Sequence, residues 1–408
     1  MAAETRVHRG AAVAALLAIA LIASGCAGGG ASGTVASPSP SSAGTVTADA
    51  GALRAQFDSL ATELGVPGAA MLVRTPQGEV TATFGVTQLH GSTPVSLDDH
   101  FRIGSNTKTM TATVILQLVQ EGKLSLTDKV AKYRPEVSNS SITIEQLLTM
   151  RSGLANYTAT LELNRALDTQ PQRVWKPEEL VAMGLAEPPT FAPGDGWNYS
   201  NTNTVLLGLI AEQLEHKPLA QILQERLFTP LGLRETSYPA DTDASLPEPY
   251  SHGYMYSNNV DTMESSALPP DQLAQAKAGT LLPSDTTNLN PSWAGAAGAG
   301  ISTIRDLAHW VEALGSGAVL GPTLQKERLA GVQTVPVGLP DPKYGWGIAK
   351  FGPLYGHTGE LPGYNSFMGY DPVQKVTIVA WANLAPAADG RPPATVIGTL
   401  LMKSIYGG

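Results

Sequence analysis

A chain of 408 residues with a formal net charge of −9 and no cluster of Lys and Arg offers no electrostatic footprint for nucleic acid. Its single cysteine, Cys26, excludes an internal disulfide. Charged residues make up only 15% while Gly and Pro number 42 and 30, which suits a loop-rich secreted enzyme, and no internal repeat is found.

Arg6, His8 and Arg9 precede an apolar run over residues 11–23, then small residues and Cys26. A basic start, a short apolar core and a small-residue exit describe a secretory signal over residues 1–25, since a membrane span needs about 20 apolar residues. Ala23-Ser24-Gly25-Cys26 resembles the lipobox of bacterial lipoproteins, with Ala23 where leucine is usual. That likeness implies acylation of Cys26 and a lipid anchor on the outer side of the cell membrane, and plain secretion is the alternative. Residues 26–50 are mostly Gly, Ala, Ser, Thr and Pro, cannot bury a core, and read as a flexible tether. Residues 51–408 are long for one core and read as one catalytic domain with a mainly helical insertion at about 123–292.

Leu53, Phe57, Leu60 and Leu64 repeat at helical spacing and predict a helix that stops near Gly65. Residues 69–74 and 79–84 predict a hairpin around Thr75-Pro76-Gln77-Gly78. A helix over 105–121, with Gly122 placed to stop it, is apolar on nearly every side at 114–119 and should be central and buried. Residues 144–150 and 204–215 read as helical, and 241–290 as a poorly patterned surface excursion. Helix returns at 303–314, strands are expected at 344–349, 365–370 and 376–383, and a last helix at 394–405. Strands at both ends with helices between them predict an α+β fold, one antiparallel sheet built from both termini.

The 105–121 helix opens with Ser105-Asn106-Thr107-Lys108, the only place where a serine is followed three residues later by lysine. Positions i and i+3 share a helix face, so the hydroxyl and the amine meet, and a nearby base is what makes a serine nucleophilic. Ordinary frequencies give about one such pair by chance in a chain of this length. The weight therefore falls on its company: Tyr199-Ser200-Asn201 before an apolar helix, and His357-Thr358-Gly359 ahead of the 365–370 strand.

These three motifs, with Phe101-Arg102-Ile103-Gly104, Arg151-Ser152-Gly153-Leu154 and the 356–363 segment, resemble the superfamily of serine β-lactamases and penicillin-binding proteins. The class C group is the nearest pattern, in particular the serine D-alanyl-D-alanine carboxypeptidases of actinomycetes and related esterases. The resemblance implies Ser105 as nucleophile of an acyl-enzyme and Lys108 and Tyr199 sharing the base work. It also implies Asn201 holding Lys108 or the substrate amide, and an oxyanion hole from the Ser105 and Glu360 amides just past a His-Thr-Gly turn. Trp293 would line the acyl pocket or serve as a buried anchor. For a tyrosine to act as base near neutral pH its pKa must fall by about three units, which a cationic Lys108 in a partly dry pocket could supply.

Tyr256-Ser257-Asn258 repeats the second motif in a polar loop with no apolar helix after it. His309 and Trp310 read as packing. The other histidines lack metal-ligand spacing, so neither zinc nor any other cofactor is expected, and no Gly-x-Ser-x-Gly elbow occurs.

His357, where many relatives have lysine, should be mostly neutral at pH 7. The relatives' carboxylate clamp, a hydroxyl residue after His-Thr-Gly and an arginine on the preceding strand, falls on Glu360 and Ala349, with only Lys350 nearby. Glu360 would repel a substrate carboxylate unless Lys350 compensates. The expected activity is serine hydrolysis of a small peptide, ester or β-lactam, closest to D-alanyl-D-alanine carboxypeptidase. The alternatives are an esterase, a β-lactamase and a non-hydrolysing penicillin-binding sensor lipoprotein.

Overall fold

The computed structural model describes residues 49–138, 141–336 and 342–407. The signal (1–25), Cys26 and nearly all of the tether fall outside them. Helix α1, Ala50–Leu64, starts where the Asp49 carboxylate accepts the Gly51 and Ala52 amides at 2.9 and 3.0 Å. It stops at Gly65, whose φ of +64° suits a residue without Cβ. Leu53, Phe57, Leu60, Ala61 and Leu64 form its buried stripe.

The expected hairpin follows as β1 (Gly68–Thr75) and β2 (Gly78–Gly85). The rest of the sheet comes from the far end of the chain: β3 (Gln333–Thr334), β4 (Lys343–Tyr344), β5 (Ala349–Phe351), β6 (Leu354–Leu361), β7 (Tyr364–Asp371) and β8 (Val376–Ala382). Their order is β2-β1-β8-β7-β6-β5-β4-β3, antiparallel at every pairing, so both ends of the chain build one sheet as expected.

Between β2 and β3 run the helices α2 (Thr107–Gln120), α3 (Asn201–Glu215) and α4 (Ile304–Ser316), and α5 (Pro393–Tyr406) follows β8. Successive strand side chains point to opposite faces. Leu72, Met368, Val379 and Trp381 accordingly share a core with α2, α3 and α4. Met71, Val73, Phe367, Ile378 and Ala380 share the other core with α1 and α5. Phe57 is fully buried in that second core. Phe57→Ala is expected to lower the unfolding free energy by about 3–5 kcal/mol, read as a lower denaturant midpoint at unchanged slope.

Helix α2 is buried on nearly every side, as its apolar middle predicts, and its buried threonines are hydrogen-bonded. Thr109 and Thr113 donate to the Asn106 and Thr109 carbonyls at 2.7 and 2.6 Å, and Thr111 donates to Ala296 O at 2.8 Å.

Three sequence expectations change. The single strand at 344–349 is two short strands, because residues 345–348 turn sharply onto α2. Gly347 has φ +63°, and a Cβ there would lie 2.2 Å from that of Ala112. His357-Thr358-Gly359 lies inside strand β6, not in a turn. Its glycines hid the strand, and they are needed: a Cβ on Gly356 would sit 2.0 Å from Met368 O and one on Gly359 1.9 Å from Ile103 O. The 241–290 excursion is only partly superficial, for Ser251, Tyr254 and Met255 are buried and Gly253 lies against the Tyr364 ring. Among the described residues no helix is long and apolar enough to cross a membrane.

Candidate active site

Ser105 sits in a single 3-10 turn, Gly104–Asn106, that leads into α2. The turn is pinned to the sheet from several directions. Ile103 O accepts from Asn106 Nδ2 at 3.1 Å and from Ser366 Oγ on β7 at 2.9 Å, while Asn106 Nδ2 also donates to Ser366 Oγ at 2.7 Å. Gly104 has φ +53°, and a Cβ there would lie 2.6 Å from the Glu360 amide nitrogen. The main chain before Ser105 is thus laid directly against β6, which brings the Ser105 turn and the Glu360 amide side by side.

Lys108, one helical turn on, donates to Ser105 Oγ at 2.8 Å and to Ala297 O at 2.8 Å. Its Nζ also lies 4.8 Å from the centre of the Tyr199 ring. The lysine is only 1% exposed, and among the described residues no carboxylate pairs with it. Burial pushes its pKa well below the ordinary lysine value. An amine desolvated in this way, in hydrogen-bond contact with a hydroxyl, can take a proton from it.

Tyr199 stands at the start of α3, partly exposed, with its ring against Trp197, Tyr344 and His357 at 6.5, 6.3 and 6.1 Å between centroids. Burial pushes the phenol up, and the hydrogen bond with Ser105 offsets this in part. The direction is opposite to the lowering that a basic Tyr199 requires. His357 is 4% exposed. Burial first, then the field of Lys108, pushes its pKa down to about 3, against the bond to Thr358 O, and the ring is neutral as expected. Nδ1 lies 2.6 Å from Thr358 O and Nε2 3.2 Å from Tyr344 Oη, so Nδ1 carries the proton and Nε2 accepts from the tyrosine.

Asn201, expected to hold Lys108 or the substrate amide, makes no bond to Lys108: its Nδ2 donates to Thr158 Oγ1 at 3.0 Å, and its backbone amide donates to Asn156 Oδ1 at 3.0 Å. The acceptor holding Lys108 in its place is the Ala297 carbonyl. A main-chain atom has no sequence signature, but the tiny residues of 294–300 carry a trace of it. A Cβ on Gly300 would lie 2.8 Å from Thr107 Oγ1, and one on Gly208 2.6 Å from the Ala296 Cβ, so only a slim segment passes between α2 and α3. Trp293 is a buried anchor whose carbonyl accepts from Tyr157 Oη at 2.7 Å.

Thr358 is half-buried and Gly359 buried on β6, while Glu360 is exposed. Crowding by protein atoms pushes the Glu360 carboxyl up to about 7, and the 2.9 Å bond from Asn365 Nδ2 offsets this only in part. Lys350 does not compensate it. Lys350 is paired with Tyr355 across the β5–β6 ladder, five residues or roughly 16 Å up the strand, with its ammonium over the Tyr355 ring. The repeated Tyr256-Ser257-Asn258 is a helix cap: the Asn258 side chain accepts the Asp261 amide at 2.8 Å at the start of the Asn259–Glu264 helix. Among the described residues no group of three or more His, Cys, Asp or Glu could hold a metal ion.

Residues 53–399 match the family described as Beta-lactamase. The D-stereospecific amidohydrolase from Streptomyces sp. is 30% identical with a TM-score of 0.73, covering 88% of this chain and 99% of that one. The D-amino acid amidase from Ochrobactrum anthropi SV3 has a TM-score of 0.74 over 88% of this chain and 99% of its own, and at 24% identity it is a likeness of fold alone. A penicillin-binding protein of Bacillus subtilis (strain 168) is 26% identical over 294 residues, 70% of this chain and 61% of that protein, so the match spans less than two thirds of this relative's length.

Proposed function

Since the chain belongs to the Beta-lactamase family and is a serine hydrolase of that fold, we propose that it cleaves amides or esters of D-amino acid derivatives through an acyl-enzyme on Ser105. The observation that carries the reading is the 2.8 Å contact between Ser105 Oγ and the buried, unpaired amine of Lys108. In this mechanism Lys108 Nζ takes the Ser105 proton as Oγ attacks the substrate carbonyl carbon. The oxyanion that forms is met by the Ser105 and Glu360 amides. The neutral Tyr199 hydroxyl gives its proton to the leaving nitrogen or oxygen and regains one from Lys108, and water then reverses the path to free the acid. Hydrolysis of a D-alanyl-D-alanine peptide with a free carboxylate is the weaker option, because Ala349 and Glu360 occupy the clamp positions and Lys350 is turned to Tyr355.

Labelling with a fluorophosphonate and with a fluorescent penicillin tests this. Wild type should be labelled by the phosphonate and Ser105→Ala by neither reagent. Turnover of a D-amino acid amide should exceed that of its L enantiomer. Undiminished labelling of Ser105→Ala would discard the nucleophile, and a penicillin adduct without turnover of any amide or ester would favour the sensor.

A further inference from the structure

We propose that Tyr344 is a positioning residue for acyl transfer: its hydroxyl caps Nε2 of His357, which keeps the imidazole out of the proton transfers and leaves the Tyr199 phenol to Ser105. The inference rests on the reading of Ser105 as nucleophile, and it names a residue that lies outside all three motifs.

Two tyrosines surround one acceptor. The Tyr344 and Tyr199 rings lie 5.6 and 6.1 Å from the His357 ring and 6.3 Å from each other. Tyr344 Oη reaches Nε2 at 3.2 Å, while Nδ1 lies 2.6 Å from Thr358 O. A carbonyl only accepts, so Nδ1 carries the proton and Nε2 holds the one lone pair that the ring can offer. Tyr344 takes that lone pair, and the Tyr199 phenol remains turned to Ser105. The cap matters because His357 lies within the field of Lys108. An open Nε2 would be a second proton acceptor near that amine and would compete with Ser105 for the Tyr199 hydroxyl.

The surroundings of Tyr344 suit a donor. It is 6% exposed, on β4 opposite Ala349 of β5. Burial and the neighbouring Tyr199 push its phenol well up, so the proton stays on, while the field of Arg328 polarises the O–H. Arg328, on the Pro322–Ala330 helix, is fully buried. Its guanidinium donates to Thr113 Oγ1 at 2.9 Å and to Thr109 O at 3.5 Å, and among the described residues no carboxylate pairs with it. Burial pushes its pKa down to about 9, which leaves it charged at neutral pH.

A double-mutant cycle on a D-amino acid amide tests this. Tyr344→Phe keeps the ring and removes the hydroxyl. It should lower kcat by roughly 10-fold with KM within about two-fold of wild type. His357→Asn keeps an amide donor for Thr358 O and has no atom at the place of Nε2. In that background Tyr344→Phe should change kcat by less than about two-fold. Nitrogen NMR of labelled enzyme reads the cap without turnover. In wild type at pH 7 the His357 Nε2 signal should be that of a hydrogen-bonded acceptor, and Tyr344→Phe should shift it while Nδ1 keeps its proton. Equal losses of kcat in the two backgrounds would reduce Tyr344 to packing and overturn the proposal. So would an unchanged kcat in Tyr344→Phe, or an unbonded Nε2 in wild type. Each of these leaves fluorophosphonate labelling of Ser105, and the serine hydrolase reading, standing. Absence of that labelling in wild type would overturn both.

Discussion

Lys108→Met is expected to cut kcat/KM by about 10³- to 10⁴-fold while leaving thermal stability equal or higher. Methionine fills the lysine's volume but leaves Ser105 Oγ with no amine to receive its proton. The stability half of the prediction is the more discriminating. A 1%-exposed lysine with no carboxylate partner is costly to bury, and the cost is tolerable only because the amine can shed its charge. An apolar replacement removes that cost and leaves the Ala297 carbonyl and the Ser105 hydroxyl without their lysine donor. Burst kinetics with an activated ester and a thermal melt together decide it. A variant retaining more than a tenth of wild-type acylation would remove Lys108 from the mechanism. The pH dependence follows with a definite sign. The base form of Lys108 is the active one, so kcat/KM should fall as pH drops through a lysine pKa lying well below 10.5. His357 contributes nothing to that limb near neutrality, being neutral down to about 3.

Gly359→Ala should lower kcat/KM by at least about 10²-fold with the protein still folded. The added Cβ would meet Ile103 O at 1.9 Å and Ser366 Oγ at 2.4 Å, and the first is main chain that cannot rotate away. Strand β6 must then move off the Ser105 turn by about an ångström, and that is enough to misalign a reacting geometry. Gly122→Ala is the matched control. Gly122 has φ +71° with nothing within 4 Å of a Cβ, so it carries backbone strain without a collision at the site. It should lose about 1 kcal/mol of stability and keep its activity. Equal activity losses in the two variants would mean that the close approach of β6 to Ile103 is not what positions the serine.

The sequence made the plan of the fold readable because the decisive patterns were local. The 53–64 stripe, the apolar 114–119 run and the strands near 365–370 and 376–383 are each dictated by their own side chains. Strand β6 was not readable, since its Gly356 and Gly359 are required by main-chain atoms of other segments, Met368 on the next strand and Ile103 far away in sequence. The same limit applies at the site. Ser105 and Lys108 lie one turn apart on a single segment, so their contact follows from helix geometry. The partner of Lys108 is the Ala297 carbonyl, an atom that every residue possesses, and sequence reasoning offered Asn201 in its place. A basic Tyr199 needs its phenol lowered by a charged lysine. Burial of both groups reverses this, and burial is a property of the packed whole.

The shared sheet also governs when such a molecule can begin to work. Strand β1 has β8 as its inner neighbour, and Gly68 N donates to Asn383 Oδ1 across 315 residues of chain at 2.6 Å. The nucleophile is made early in synthesis, whereas β6, which supplies the amide beside it, and β8, which joins the two halves, are made near the end. Loop closure over such a span is slow, because the entropy of ordering is lost before the distant contacts return anything. A nascent chain can therefore carry a complete Ser105–Lys108 pair and still be inert, with its reactivity withheld until the last strands arrive.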